Sequence, residues 1–136
     1  MAITQTQRSE LVAQALDARR HAYAPYSKYA VGAALLASSG KIYRGANVEN
    51  AAYPMGMCAE RAALFHAVSE GERQFTAVAI VTTNAGMPCG ACRQALSEFG
   101  LDLLVLIADT NGTVVSETTL DALLPQAFRP DHLPRG

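Results

Sequence analysis

Apolar residues recur along this chain at two spacings, one helical and one extended. Near the start they follow the period of about 3.6 residues of a helix, at Leu11, Ala15, Leu16 and Ala18. This spacing predicts a helix over residues 6–22, with Thr6 or Ser9 able to cap it. The Pro25 turn then ends the helix, because proline cannot continue it.

Further along, continuous apolar runs alternate with helical patterns. The predicted strands are residues 30–37, 41–44, 75–81, 101–108 and 113–115, and the first two form a hairpin around the turn at 38–40. The later predicted helices are residues 58–69, 89–99 (closed by Gly100) and 120–124. Strands that alternate with helices predict an α/β fold, a three-layer α/β/α sandwich with a mixed five-stranded sheet. No linker or repeat divides the chain, so we expect one domain over residues 1–136.

The composition excludes several classes of partner. A formal net charge of -1 gives no basic surface for nucleic acid. No apolar run approaches the roughly 20 residues that span a bilayer, so we expect no membrane partner. Only 17% of the residues are charged, against about 25% in typical domains, which is consistent with some surface being covered by subunit contacts.

Cysteines carry the clearest chemical signal. The chain has three, Cys58, Cys89 and Cys92, and each falls at the beginning of a predicted helix. A structural zinc site normally has four protein ligands, whereas three ligands and an open position are typical of a catalytic site that acidifies bound water. The pattern therefore favours a zinc hydrolase site.

Other interpretations of these cysteines are weaker. The Cys89–Cys92 pair alone would fit a redox motif or half of a zinc knuckle, but Cys58 would then be unexplained. An odd cysteine count without a signal-peptide pattern argues against a disulfide framework and favours the cytoplasm. His66, the best remaining fourth donor, lies eight residues beyond Cys58 on the same predicted helix, about 12 Å away. We therefore expect it to be an ordinary helix residue.

Charged residues flank the three cysteines. Glu60 lies two residues after Cys58, where a carboxylate could move protons for a zinc-bound water, although a glutamate at a helix start also favours the dipole. Three thiolates on Zn²⁺ leave a net charge of −1, which makes bound water less acidic. Arg61 directly follows Glu60, and Arg93 directly follows Cys92. We expect one or both to donate to ligand sulfurs, the alternative being surface arginines.

At this point the motifs resemble a known family. Cys58-Ala59-Glu60, followed by the segment Pro-Cys-Gly-Ala-Cys-Arg-Gln at residues 88–94, resembles the small cytidine deaminases with three cysteine ligands. The likeness extends from residues 23–27 through 47–53 to 123–128. It implies one Zn²⁺ per subunit held by the three cysteines, Glu60 as the catalytic proton carrier and a cytoplasmic homotetramer. The implied reaction converts cytidine and 2′-deoxycytidine to uridine and 2′-deoxyuridine with release of ammonia, in pyrimidine salvage.

Residues of the substrate pocket follow partly from geometry and partly from this resemblance. Asn47 and Glu49 stand at i and i+2, so in extended backbone both side chains point to one side. The resemblance assigns them to the ribose 3′-hydroxyl region. The Ala59 N–H, free at a helix start, is a candidate donor to the base carbonyl. Tyr29 stands where the family often has phenylalanine, and its added hydroxyl needs a partner.

The resemblance also concerns two further aromatic residues. Tyr53 and Phe128 are similar to residues that family members contribute across subunit boundaries, although a structural core role would explain either ring equally well.

Three other functions remain open. A nucleotide or polynucleotide deaminase would more often have histidine as its first ligand, together with a basic surface. A deaminase of a cytosine-nucleoside antibiotic such as blasticidin S would share the zinc motifs. A zinc-stabilised protein without catalysis would leave Glu60 and the open ligand position unexplained.

Overall fold

A computed structural model describes residues 3–134 as one mixed sheet flanked by helices. The strands are β1 Gly32–Ala37, β2 Ile42–Ala46, β3 Phe75–Val81, β4 Leu104–Ala108 and β5 Val114–Thr119. The helices are α1 Gln5–Arg19, α2 Ala59–Ser69, α3 Gly90–Ser97 and α4 Leu120–Leu123, with 3₁₀ turns at Tyr53–Met55 and Pro130–His132. No helix among residues 3–134 has the length and apolar content needed to cross a membrane.

The sheet order is β2-β1-β3-β4-β5. β3 and β4 pair in parallel, whereas the other neighbouring strands are antiparallel. The continuous apolar runs of β1 and β3 are explained by their central positions, because a strand covered on both faces has no solvent side. The predicted mixed five-stranded sheet and its first hairpin are thus confirmed.

Helices cover both faces of this sheet. On one face, Leu11 and Ala15 of α1 pack against Ala34 and Leu36 of β1. On the other face, side chains of α2, α3 and α4 pack against the alternate residues of β1, β3 and β4. Because successive side chains of a strand point to opposite faces, each central strand contributes to two hydrophobic cores. The three-layer α/β/α arrangement is thus confirmed.

A close contact fixes α2 against β2. A Cβ atom on Gly45 of β2 would lie 2.4 Å from the Ala59 carbonyl oxygen and 2.5 Å from the Ala63 nitrogen. The absence of a side chain at Gly45 therefore lets the first turn of α2 lie directly on the strand.

Several element boundaries differ from the sequence expectations. α1 begins earlier, because Thr4 rather than Thr6 or Ser9 is the N-cap and forms a reciprocal capping box with Gln7. It also ends at Arg19, before the predicted residue 22. β5 is longer than residues 113–115, since its polar residues beyond Val115 lie on an edge strand where side chains meet solvent. β4 is shorter than predicted and starts at Leu104.

Candidate active site

The sheet topology brings two helix beginnings together. β2 and β3 are each antiparallel to β1, so they run in the same direction. α2 follows β2 and α3 follows β3, and both helices therefore start at the same end of the sheet. In open α/β sheets this edge, beyond the carboxyl ends of the strands, is where ligands bind.

The three cysteines lie at these two helix starts. Cys58 is the N-cap of α2 and Cys89 the N-cap of α3, while Cys92 is buried in the first turn of α3. Neither N-cap thiol forms a hydrogen bond that caps its helix. The thiols are therefore available as ligands beside the partial positive charge of two helix N-termini.

The sulfur positions fit a zinc ion. All three Sγ atoms lie within 4.8 Å of one another, and the Cys58 and Cys89 sulfurs are 3.8 Å apart. Tetrahedral zinc with bonds of about 2.3 Å places its thiolates about 3.8 Å apart. Within the described part of the chain, no histidine or carboxylate joins this cluster. His66 is instead exposed and packs edge-on against Tyr43, with ring centroids 5.4 Å apart.

The Cys58 and Cys92 thiols influence each other's ionisation. Hydrogen bonds, first from the Cys92 thiol and then from Arg61, lower the pKa of Cys58 to about 5. The hydrogen bond to Cys58, together with burial, raises the pKa of Cys92. A thiolate at Cys92 beside the one at Cys58 is thus unfavourable without a cation, and a bound metal would supply the charge that lets Cys92 ionise as well.

Glu60 faces this cluster from the first turn of α2. The residue is only 5% exposed, and it lines the cavity beside Cys58 and Cys89. Burial, followed by the nearby Cys58 charge, raises the pKa of the Glu60 carboxyl. A raised carboxyl pKa suits a group that must both take and return a proton near neutral pH.

The two arginines have different partners. Nη2 of Arg61 donates to the Cys58 sulfur over 3.5 Å, which is the contact expected for offsetting thiolate charge. Arg93 instead donates from Nε to the Pro88 carbonyl and from Nη1 to the Leu123 carbonyl, each over 2.8 Å. Arg93 is thus bonded to the residue before Cys89 and to the end of α4, and of the two arginines it is Arg61 that has a hydrogen bond to a sulfur.

A cavity of about 440 Å³ opens beside the cysteines. Its walls come from residues after β2, the start of α2, and two loops. One loop precedes β1 and contributes Ser27, Tyr29 and Val31, and the other follows β3 and contributes Thr82, Gly86 and Met87. A larger groove of about 550 Å³ between α1 and β5 is lined by the Arg8–Glu117 ion pair. Its charges are already paired, and it lies apart from the cysteine cluster, so the smaller cavity is the candidate site.

Asn47 and Glu49 both line this cavity, on extended backbone in which Val48 bridges to Tyr23 and Met57. The Asn47 amide accepts from the Val31 N–H and donates to the Tyr29 carbonyl, each over 2.8 Å. The Asn47 side chain therefore points toward the loop of residues 26–31. The Glu49 side chain points toward the same loop, as the i, i+2 spacing of the two residues predicts.

Glu49 binds the same loop further along. Its carboxylate accepts the Ser27 hydroxyl and the N–H groups of Tyr26 and Ser27. These bonds, led by the Ser27 hydroxyl, lower the pKa of Glu49. Sequence reasoning did not predict that Glu49 holds this loop, because residues 26 and 27 come near Glu49 only in the folded chain.

The aromatic residues occupy different places. Tyr29 lines the cavity, and its hydroxyl finds a partner in Asn84 Oδ1 at 2.7 Å. Tyr53 stands at the cavity rim and is 76% exposed. Phe128 is 53% exposed and is not among the residues lining the cavity of its own chain. The alternative of a core role is therefore wrong for both Tyr53 and Phe128.

Several cavity residues were not predicted as site residues, among them Thr82, Gly86 and Met87. Thr82 directly follows β3, and the others lead from it toward Cys89. Their position after a buried strand is the signal that would have found them, since loops at the carboxyl ends of strands form ligand sites.

Comparison with known proteins decides the family. The sequence profile of the cytidine and deoxycytidylate deaminase zinc-binding region matches residues 5–108. The chain belongs to this deaminase family. Cytidine deaminase from Sporosarcina psychrophila is 50% identical over 127 residues, which cover 91% of this chain and 93% of that protein.

Other relatives support the same assignment. Cytidine deaminase from Halalkalibacterium halodurans is 46% identical over 129 residues, covering 93% of this chain and 97% of the relative. The crystal structure of cytidine deaminase from Burkholderia pseudomallei superposes with a TM-score of 0.84 at 45% identity, covering 93% of this chain and all 100% of that one. The family is a zinc-binding one, in agreement with the sulfur spacing of the three cysteines.

Proposed function

We propose that this protein catalyses the hydrolytic deamination of cytidine and 2′-deoxycytidine to uridine and 2′-deoxyuridine, with release of ammonia. One observation carries the proposal: three thiols at zinc spacing adjoin a buried glutamate, Glu60, in a cavity of about 440 Å³. Membership of the deaminase family and the names of the relatives agree with it.

Cys58, Cys89 and Cys92 would hold one Zn²⁺. When bound, the ion supplies Lewis acidity that lowers the pKa of water in the open ligand position. Glu60 accepts the proton of the attacking water and passes it to N3 of the pyrimidine as the water oxygen bonds to C4. Glu60 then takes the proton of the new C4 hydroxyl and gives it to the amine, so that the C4–N4 bond breaks, the C4 carbonyl forms and ammonia leaves. The Ala59 N–H, without an intrahelical partner at the start of α2, donates to the base carbonyl.

Charges in the cavity favour a nucleoside over a nucleotide. Glu49 and Glu60 are both cavity residues, and Arg61 is the one cationic side chain among those described that line it. Arg61 is already directed at the Cys58 sulfur. A phosphate would therefore meet two carboxylates without a free cation, which is unfavourable.

Asn47 and Glu49 would bind the sugar. A carboxylate has about four acceptor sites, and the Glu49 carboxylate uses three of them on Tyr26 and Ser27. The remaining site can accept from the ribose 3′-hydroxyl. The Asn47 amide keeps one N–H for the same region, because its other N–H is bonded to the Tyr29 carbonyl.

The assembly would be a homotetramer that acts in pyrimidine salvage in the cytoplasm. Tyr53 and Phe128 are large, apolar and exposed in the single chain, as rings that complete a neighbouring subunit's site would be. Light scattering coupled to size-exclusion chromatography measures the mass directly. A monomer with full activity would contradict a shared site.

Loss of absorbance in the cytidine band tests the function. We compare wild-type protein with Glu60→Gln and quantify zinc in both. An active wild type and a zinc-loaded but inactive variant support deamination with Glu60 as proton carrier. A zinc-loaded wild type that leaves cytidine and deoxycytidine unchanged would refute this substrate and direct the search to modified cytosine nucleosides.

A further inference from the structure

The Tyr29 hydroxyl is hydrogen-bonded to the segment that follows β3, which forms a second part of the cavity wall. The hydroxyl donates to Asn84 Oδ1 over 2.7 Å, and the same oxygen accepts from the Thr82 hydroxyl over 3.2 Å. The Thr82 oxygen in turn accepts from the Gly86 N–H over 2.6 Å. Three consecutive hydrogen bonds therefore connect the Tyr29 ring to the segment of residues 82–86.

Gly86 makes this contact possible. A Cβ atom at position 86 would lie 2.6 Å from the Tyr29 hydroxyl oxygen, so a larger residue would force the tyrosine ring to shift. Gly86 and Met87 both line the cavity, and the chain continues from them through Pro88 to Cys89. The segment that Tyr29 contacts thus forms one wall of the cavity and leads to a metal-binding residue.

The backbone of Tyr29 is also fixed. Its carbonyl accepts from Asn47 Nδ2 over 2.8 Å, and its N–H donates to the Ser27 oxygen over 3.0 Å. The ring is therefore held at its backbone by one wall and at its hydroxyl by the other. A phenylalanine here would keep the ring but would lose the bond to the second wall.

We propose that the Tyr29 hydroxyl is a positioning group: through Asn84 it holds the 82–88 segment at a fixed distance from the 27–31 loop and so sets the width of the nucleoside cavity. The prediction for catalysis rests on the proposed function. A wall that contacts the substrate throughout the reaction stabilises the bound substrate and the transition state alike. Loss of the bond therefore raises KM and leaves kcat nearly unchanged.

Kinetics of matched variants test this role. Tyr29→Phe should raise KM for cytidine about 2- to 10-fold, the worth of one hydrogen bond, with kcat and zinc content near wild type. Tyr23→Phe is the control, because the exposed Tyr23 hydroxyl has no hydrogen-bond partner among residues 3–134 and the side chain does not line the cavity.

Asn84 variants test whether the effect passes through the proposed acceptor. Asn84→Ala should raise KM as Tyr29→Phe does, and the double variant should be no worse than either single one. Asn84→Asp keeps an acceptor oxygen for the Tyr29 hydroxyl, so its KM should stay near the wild-type value. Additive effects of Tyr29→Phe and Asn84→Ala, or an unchanged KM in Tyr29→Phe, would overturn the proposal.

Hydrogen–deuterium exchange measures the same contact without any substrate. Deuterium uptake over residues 82–88 should be faster in Tyr29→Phe than in wild type and unchanged in Tyr23→Phe, since the Gly86 N–H depends on the chain of bonds. Equal uptake in all three proteins would refute the positioning role even if cytidine is the substrate. Faster uptake in a protein inert toward cytidine would support the positioning role and refute only the proposed function.

Discussion

Gly45→Ala should damage the active site from a position outside it. The added Cβ would lie 2.4 Å from the Ala59 carbonyl oxygen and 2.5 Å from the Ala63 nitrogen, and both atoms belong to the backbone of α2. Since ordinary contact begins near 3.4 Å, the first turn of α2 must retreat from β2 by about 1 Å. That turn presents Cys58 and Glu60 to the cavity.

A displacement of this size has two expected effects. Misplacing reacting groups by about 1 Å can lower the rate about 100-fold, so kcat/KM for cytidine should fall by about that factor. Overpacking should also lower the free energy of unfolding by about 1–3 kcal/mol. Urea unfolding measures the second effect, and initial rates on the folded fraction measure the first.

Gly40→Ala provides the matched control. Gly40 lies in the exposed β1–β2 turn at φ +95, and a Cβ there would meet no atom within 4 Å. Alanine at a positive φ costs about 1 kcal/mol of stability without moving α2, so kcat/KM should remain near wild type. If Gly45→Ala lost stability but kept the kcat/KM of Gly40→Ala, the edge strand β2 would have moved away from α2 while α2 kept its position. That result would refute the reasoning.

Three further substitutions test individual contacts. Arg61→Ala should weaken zinc retention against a chelator, because the donor to the Cys58 sulfur is lost; unchanged zinc content and rate would remove Arg61 from the site. Glu49→Gln should raise KM or lower kcat/KM with zinc still bound, and a silent variant would argue against the sugar contact. Glu72→Gln should make the free energy of unfolding less dependent on pH in the acid range. Hydrogen bonds, first from the Ser39 hydroxyl and then from the Tyr43 hydroxyl, lower the pKa of Glu72 in the folded protein. The stability that Glu72 contributes is therefore present above its unfolded-state pKa and is lost as pH falls through its folded-state pKa. Unfolding at pH 3 to 7 measures this, and identical pH profiles would contradict it.

The strong hydrophobic patterns were sufficient to predict the layers and the central strands. Residues 75–81 form β3 with the predicted bounds, because a strand buried on both faces is apolar throughout. β5 was underestimated, since its polar stretch at Ser116–Thr118 resembles a loop but pairs along β4. The start of α1 was misplaced for a different reason: Thr4, Thr6 and Ser9 are all competent caps, and the reciprocal bonds with Gln7 select Thr4.

The cluster of three cysteines was predictable because metal-binding chemistry is encoded in residue type and spacing. The partner of each arginine was not: Arg61 and Arg93 both follow the cysteine motifs closely, yet one reaches a sulfur and the other reaches two backbone carbonyls. The partners of Arg93 lie 5 and 30 residues away in sequence. Only the packing of α3 against the loop before it and the end of α4 brings them together.

Asn47 and Glu49, the proposed sugar-binding residues, are already oriented by the fold in the absence of substrate. Each side chain is oriented by bonds to the 26–31 loop, so little rotamer freedom remains to be lost when a hydroxyl binds. The same bonds position the loop that carries Tyr29 into the cavity wall. We therefore expect a substitution at either residue to affect the proposed sugar contact and the cavity wall together. The conservative Glu49→Gln change retains one side-chain oxygen for these bonds, whereas Glu49→Ala removes every acceptor. Comparing the deuterium uptake of residues 26–31 in the two variants separates the loss of a substrate contact from the loss of the loop.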